Sequence, residues 1–308
     1  MELERAPLFC SLTVPFFFAI LSSEVAMYKI IKKEQLSQEV FLMEIEAPMI
    51  ARERKAGQFV IVQKGGDFNE RIPLTIADAD PEKGTITIVF QRVGASTFLL
   101  AELNEGEYIE NVLGPLGTPT HIENYGRVVC VGGGIGVAPL YPIAEAMKKA
   151  GNDVHIIIGA RNKELIIEED KMRTIDPDLT IVTDDGSYGE KGVVTVPLER
   201  MLKEGNVQHV VSIGPAIMMK FCTKTAESYG VPITVSLNSI MIDGTGMCGG
   251  CRVDIGGEMK FVCVDGPEFD GHLVNWDNLM MRQRTYKARE KEDNDKCRGG
   301  ICGKLGLK

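Results

Sequence analysis

The chain has 308 residues, 44% of them hydrophobic and 25% charged, with a formal net charge of -9. That length supports two or three domains around a sizeable core, and the acidic balance argues against a nucleic-acid partner held by a basic face. Eight cysteines raise the question of disulfides. Three of them crowd into one glycine-rich stretch, Cys130 and Cys222 sit in apolar or helical runs and two stand in the tail, a distribution that fits a reducing cytoplasm.

Residues 1–26 differ from the rest. The apolar run 8–21 is short for a membrane span, Glu2, Glu4 and Arg5 are together net acidic where a secretory signal wants positive charge, and Glu24 occupies the place of a small cleavage-site residue. The expectation is an extension outside the fold, with no stable membrane insertion. From residue 27 to 125 the signals are strands, at 28–33, 39–45, 58–63, 85–91 and 107–111, with turns between them, which predicts a small antiparallel β-barrel. Within it, Arg71-Ile72-Pro73-Leu74-Thr75 places a positive side chain near a hydroxyl, and Val93-Gly94-Ala95-Ser96-Thr97 opens a short helix. A cation plus a glycine-led helix N-terminus makes a pyrophosphate cradle, while the bland reading is a surface arginine on a strand edge.

From 126 to 235 the pattern turns to alternating strands and helices. Strands are expected at 127–131, 154–158, 179–183, 207–213 and 233–236, and helices up to 149 and at 164–174, 196–203 and 216–229. Such alternation predicts a doubly wound parallel sheet with its ligand crevice at the carboxyl ends of the strands. Gly132-Gly133-Gly134-Ile135-Gly136-Val137-Ala138-Pro139 follows the first strand. It departs from G-x-G-x-x-G, because Val137 takes the last glycine's place and Pro139 follows, yet it still brings backbone amides and a helix N-terminus against a diphosphate. Thr183-Asp184-Asp185 and Gly214-Pro215 end two further strands on the same rim. Acidic Asp184 and Asp185 would repel a ribose 2′-phosphate, favouring NAD over NADP, while Arg161 pulls the other way. The four histidines, His121, His155, His209 and His272, are scattered and form no catalytic pair or triad.

Residues 236–278 form a third unit around Asp243-x4-Cys248-x2-Cys251-x11-Cys263. This is the plant-type ferredoxin spacing C-x4-C-x2-C…C with aspartate in the first position, and its glycines let the backbone curl round a [2Fe-2S] cluster. A zinc site is the competing reading, though a single C-x2-C is half of the usual zinc pattern. Cys297 or Cys302 can replace Asp243 as fourth ligand. A carboxylate is harder than a thiolate and would tune the cluster's potential. Residues 279–308 are charged and glycine-rich without apolar periodicity, and read as a mobile or partner-docking tail.

Taken in order, Arg71 to Thr75, Gly94 to Thr97, Gly114 to Gly117, Gly134 to Pro139, Thr183 to Ser187 and the cluster loop resemble the ferredoxin-reductase-like electron-transfer subunits related to that of dihydroorotate dehydrogenase. The dihydroorotate type carries four cysteines at its cluster. Asp243 makes this chain more similar to the small subunits of NADH-dependent reduced ferredoxin:NADP oxidoreductases, also described as sulfide dehydrogenases. The resemblance implies FAD in the barrel on Arg71, Pro73, Leu74, Thr75, Gly94 and Thr97. It implies NAD(H) on the loop with Gly133, Gly134, Gly136 and Pro139, and a [2Fe-2S] cluster on Asp243, Cys248, Cys251 and Cys263. It further implies an electron-bifurcating oxidoreductase in which a larger FAD and iron-sulfur subunit is the partner and ferredoxin is served through the complex. An electron-transfer subunit serving a dihydroorotate-oxidising partner, and a zinc-stapled nucleotide-binding module without redox activity, are the alternatives.

Overall fold

The computed structural model describes residues 27–65 and 70–298. The expectations for residues 1–26 and for the thiols of Cys297 and Cys302 lie outside the described residues and side chains.

The first unit runs β1 (Tyr28–Ser37), β2 (Val40–Glu46), α1 (Pro48–Glu53), β3 (Phe59–Gln63), β4 (Ile72–Asp80), β5 (Thr85–Gln91), α2 (Ala95–Glu102), β6 (Tyr108–Ile109) and β7 (Asn111–Leu116). The strands lie in the order β6-β1-β2-β5-β4-β3-β7, with every pair antiparallel. Only Glu110 separates β6 from β7. One stretch of chain therefore pairs with β1 at one end and β3 at the other, which all but closes the sheet into a barrel and leaves little free edge. Alternation fills it: Phe41, Met43 and Ile45 of β2 stand opposite Phe90, Ile88 and Ile86 of β5, and all six are buried in one core.

The second unit continues with β8 (Arg127–Gly133), α3 (Val137–Lys149), β9 (Asp153–Ala160), α4 (Glu169–Arg173), β10 (Thr180–Thr183), β11 (Glu190–Lys191), α5 (Thr195–Lys203), β12 (His209–Ile213), α6 (Ala216–Ser228) and β13 (Ile233–Ser236). The central strands are apolar on both faces, as a sheet covered on two sides requires. Val129 and Val131 of β8 enter one core while Val128 and Cys130 enter the other. The sheet order is β11-β10-β9-β8-β12-β13, all parallel, closed at the β13 edge by an antiparallel strand from later in the chain, Glu268–Asp270. Its direction of winding reverses between β8 and β12, so a crevice opens there at the strands' carboxyl ends.

The third unit holds the cluster loop, then a ribbon of β14 (Arg252–Ile255) and β15 (Glu258–Phe261), α7 (Val262–Asp265), β16 (Glu268–Asp270) and α8 (Trp276–Gln283). Because β16 adds to the edge of the parallel sheet beside β13, this lobe is continuous with the nucleotide unit.

Two expectations need correcting. The helix expected over 164–174 is broken into a single 3₁₀ turn, Lys163–Leu165, and the short α4. Between them the chain dips inward to bury Ile167, and Glu168 takes a left-handed φ of 54° to bring it out again. The described part of the tail, up to residue 298, is also more ordered than its composition implies. Residues Lys287–Arg298 form α9, which packs against α2 of the barrel. This helix has no apolar stripe, and exposed pairs such as Lys296 to Glu292 at 2.8 Å support it instead.

The three units meet at the linker 117–120. Thr118 donates from its N–H to Gly266 O (2.6 Å) and from its hydroxyl to Val264 O (3.0 Å), while Thr120 Oγ1 donates to Glu268 Oε1 at 2.7 Å. The carboxyl of Glu268 is enclosed, and this burial raises its pKa from the usual 4.5 to about 7, opposed only by the Thr120 hydrogen bond. Its folded pKa lies above the unfolded one, so the native state binds more protons between pH 4.5 and 7, and stability falls as pH rises through that window. Glu268→Gln is expected to flatten this dependence and to be the more stable form above pH 7 by roughly 2 to 3 kcal/mol. Denaturant midpoints at pH 5 and pH 8 test it, and equal differences between mutant and wild type at both pH values contradict it.

Candidate functional site

A single cleft of about 990 Å³ runs from the barrel to the carboxyl ends of the parallel strands, at the upper end of the range for ligand pockets. On the barrel side β4 supplies Pro73, Leu74 and Thr75. This strand bends between partners: Ile72 to Thr75 pair with β3, and pairing with β5 begins at Ile76. The missing N–H of Pro73 thus costs no ladder bond on the β5 side.

Thr97 also lines the cleft, and its hydroxyl oxygen accepts from the N–H groups of Val93 (3.1 Å) and Gly94 (3.0 Å) while donating to Gly94 O. Those bonds brace the start of α2. The first intrahelical bond goes from Phe98 N to Gly94 O, so the N–H groups of Ala95, Ser96 and Thr97 precede the helical ladder and are suited to an anionic phosphate.

On the nucleotide side close approach bears on two of the glycines, most firmly on Gly136, whose neighbours are backbone. A Cβ on Gly136 would collide with the carbonyl oxygen of Ile213, and one on Gly133 would strike Met218 Sδ. Gly134 turns at a φ of 56°. The loops after β8 and β12 are thereby pressed together, and Gly133, Gly134, Gly136, Pro139, Gly214 and Pro215 all face the cleft. Asp184 and Arg161 face it too, with the backbone of Asp184 fixed by its N–H to Ala160 O at 3.1 Å.

Arg71, Gly94, Thr183 and Asp185 do not line the cleft. Arg71 lies just before β4, and Gly94 is the N-cap of α2. Thr183 is fully buried, and its hydroxyl closes a turn by donating to Tyr188 O and accepting from Tyr188 N–H. Asp185 is occupied by the N–H of Ser187 at 2.9 Å. The cleft also includes Ser236 to Ser239 and Pro267, which join it to the cluster lobe. Ser236 ends strand β13, so the rule that ligands gather at strand ends was the signal that could have found it.

The histidines are dispersed among structural contacts, such as His209 to Thr234 Oγ1 at 3.0 Å and His272 to Val231 O at 3.1 Å.

In the cluster loop, Cys251 and Cys263 are buried with their sulfurs 3.2 Å apart, Cys248 is exposed, and all three are free thiols. Two thiolates on one tetrahedral metal, with bonds near 2.3 Å, lie about 3.8 Å apart, so this pair is close to ligand spacing. Backbone amides point at the sulfurs, from Gly250 N to Cys248 Sγ at 3.4 Å and from Cys263 N to Cys251 Sγ at 3.5 Å. Such donors favour sulfur that carries negative charge, as in iron–sulfur ligation. Burial, then the neighbouring Cys251 sulfur, pushes the Cys263 thiol up to about 12, so a metal would have to displace its proton.

Asp243 sits within the same loop, its Oδ2 accepting from Cys248 N–H at 2.9 Å. Hydrogen bonds from Thr245 and Cys248 hold its pKa far below the usual carboxylate range, which keeps it ionised. Among the described residues no three such side chains converge on one point as a ready-made single-ion site. A cluster of two irons distributes its ligands over two centres and does not require that convergence, and three thiols with one ionised carboxylate in one loop are donors of a kind that suits it.

Comparison with known proteins accords with this architecture. Residues 130–224 match the model of the oxidoreductase NAD-binding domain, and 238–275 match the iron-sulfur cluster binding domain of dihydroorotate dehydrogenase B. A dihydroorotate dehydrogenase B (NAD(+)) electron transfer subunit homolog of Thermotoga maritima is 49% identical over 266 residues, which is 86% of this chain and 94% of the relative. A solved NADH-dependent reduced ferredoxin-NADP oxidoreductase, studied for flavin-based electron bifurcation, has a chain that superposes with a TM-score of 0.84 at 47% identity. That match covers 88% of this chain and 98% of the other. Phthalate dioxygenase reductase, 17% identical with a TM-score of 0.56 over 74% of this chain and 86% of its own, shares the fold. Barrel, parallel sheet and cluster lobe together place this chain in the family of dihydroorotate dehydrogenase B electron transfer subunits.

Proposed function

We propose that the chain is the NAD-side electron-transfer subunit of an NADH-dependent reduced ferredoxin:NADP oxidoreductase that bifurcates electrons. The observation that carries this reading is the position of Asp243 inside the loop of three thiols, where the four-cysteine pattern has a further thiolate. Its cofactors are FAD, NAD(H) and an iron–sulfur cluster. When bound, FAD would supply the conversion between the electron pair of one hydride from nicotinamide and the single electrons that a cluster receives.

The chain's own residues bind and orient. Thr75 and the N–H groups at the start of α2 would hold the flavin diphosphate. The Gly133 to Gly136 loop, pressed against Ile213, would receive the diphosphate of NAD(H). Asp184 on the same rim disfavours a 2′-phosphate. Asp243, Cys248, Cys251 and Cys263 would hold the [2Fe-2S] cluster. Pro267 borders the cleft four residues after Cys263, so the segment that carries a cluster thiol also walls the flavin and nicotinamide space.

Around the exposed Cys248, Met247 is 89% exposed and Ile242 and Val264 are about half exposed. Apolar side chains beside an exposed redox ligand suit docking of a larger flavin and iron–sulfur subunit, which passes electrons on to ferredoxin. No helix among the described residues is long and apolar enough to cross a membrane, and the free thiols suit a reducing cytoplasm. Untagged purification from the native source tests the reading. A larger iron–sulfur flavoprotein should accompany the chain. A dihydroorotate-oxidising partner overturns the proposal, as does a colourless, zinc-loaded chain.

A further inference from the structure

The two oxygens of the Asp243 carboxylate have unequal surroundings. Oδ1 accepts twice from Thr245, from its N–H and from its hydroxyl, each at 2.7 Å. Oδ2 accepts once, from Cys248 N–H at 2.9 Å. A carboxylate oxygen offers two lone-pair sites: the two Thr245 donors fill Oδ1, while Oδ2 carries one backbone N–H, with the thiol of Cys248 also bonded to the carboxylate.

Thr245 has little freedom to leave this arrangement. Its neighbours Gly244 and Gly246 turn at φ of 78° and 84°. A Cβ on Gly244 would come within 2.7 Å of Ile61 and Leu116 in the barrel, and one on Gly246 within 2.8 Å of Val264, the residue after Cys263. The backbone on both sides of Thr245 is thus seated between the barrel and the helix that carries a cluster thiol. Its hydroxyl lies over the carboxylate although the residue itself is exposed.

We propose that Thr245 is the positioning residue of the cluster's carboxylate ligand: it occupies Oδ1, leaves Oδ2 to the iron, and sets the cluster's potential by drawing charge from the carboxylate. This rests on the reading of Asp243 as the fourth ligand. Reduction adds negative charge to the cluster and its ligands, and a donor on a ligand oxygen favours that added charge. Removing the donor disfavours reduction. It also leaves Oδ1 with one donor in place of two, the Thr245 N–H, which loosens the carboxylate's hold on iron, as loss of an outer hydrogen-bond partner does at other metal sites.

The test is an EPR-monitored redox titration of the full-length protein carrying its cofactors, together with the rate of iron release to a chelator. Thr245→Val removes the hydroxyl at nearly constant shape, and Thr245→Ser keeps it. At the wild-type midpoint the valine variant is expected to show a three- to tenfold lower ratio of reduced to oxidised cluster. Tenfold is about 59 mV for one electron. Iron release should be about tenfold faster, and the serine variant should match wild type in both readouts.

If the valine variant holds no cluster while the serine variant does, the hydroxyl is confirmed as holding the ligand. If both variants lose the cluster, or the valine variant matches wild type, the inference fails. Asp243→Cys separates this from failure of the underlying reading. A changed EPR signal for that variant, beside a wild-type midpoint for Thr245→Val, sinks only the role of Thr245. An unchanged signal for Asp243→Cys sinks the ligand assignment itself.

Discussion

Cys263→Ser is expected to abolish the iron–sulfur cluster while leaving flavin reduction by NADH close to normal. Cys263 and Cys251 form a buried sulfur pair at 3.2 Å, and Cys248 alone of the three thiols is exposed. Serine at 263 removes half of the buried pair and leaves two thiolates and a carboxylate, too few soft ligands for two ferric irons. Of the cluster lobe's thiol-bearing segment only Pro267 lines the cleft, and neither Cys251 nor Cys263 does, so the cleft keeps its glycine loop and its barrel wall. Reduction of a one-electron acceptor by NADH should therefore fall by about a hundredfold or more, while stopped-flow bleaching of the flavin stays within about threefold. Loss of both reactions together would mean that the cluster loop is needed to build the cleft. Retention of both would mean that electrons leave the flavin by another route.

Gly136→Ala carries the second large effect. The added methyl would collide with the Ile213 carbonyl oxygen and lie 2.7 Å from its carbon and 2.9 Å from the Gly214 Cα. Those atoms are backbone, so no side-chain rotation relieves the contact, and the loops after β8 and β12 must separate. Overpacking of this kind costs about 1 to 3 kcal/mol, and the displaced amides no longer fit a diphosphate. The KM for NADH should rise roughly 10- to 100-fold, since a misplacement of about 1 Å has effects of that size, with flavin and iron content unchanged. Gly134→Ala is the internal comparison. Its Cβ meets nothing within 4 Å, and only the φ of 56° opposes it, a cost of about 1 kcal/mol. Equal effects from the two substitutions in steady-state titrations would show that loop contact is not what matters.

The glycine loop and the cluster loop could be singled out in the sequence because each is local, whereas Arg71, Gly94, Thr183 and Asp185, singled out beside them, stand outside the cleft. The glycine turn after β8 and the Asp-x4-Cys-x2-Cys spacing fit within a dozen residues, and each type of chemistry imposes its own spacing. The doubly wound sheet was legible for a similar reason, since β8 and β9 are apolar on both faces. Strand β4 was harder to see. Pro73 reads as a strand breaker, and it is tolerated only because β4 changes partners at Ile76, a fact of pairing rather than of composition. Glu168 is another such case: the helical pattern over 164–174 gives way to burial of Ile167, and tertiary packing overrides propensity there. The enclosed Glu268 carboxyl gave no local sign at all. Its partner Thr120 lies 148 residues earlier in the chain, and only the meeting of barrel and cluster lobe creates its environment.

Anaerobic titration of the purified protein with NADH, followed at once by visible absorbance and low-temperature EPR, tests most directly whether a hydride taken up in the cleft reaches the cluster loop as single electrons. Flavin bleaching is expected together with the signal of a reduced [2Fe-2S] centre, in protein that carries iron and acid-labile sulfide. Flavin bleaching with no such signal in iron-replete protein, or zinc in place of iron, would contradict it.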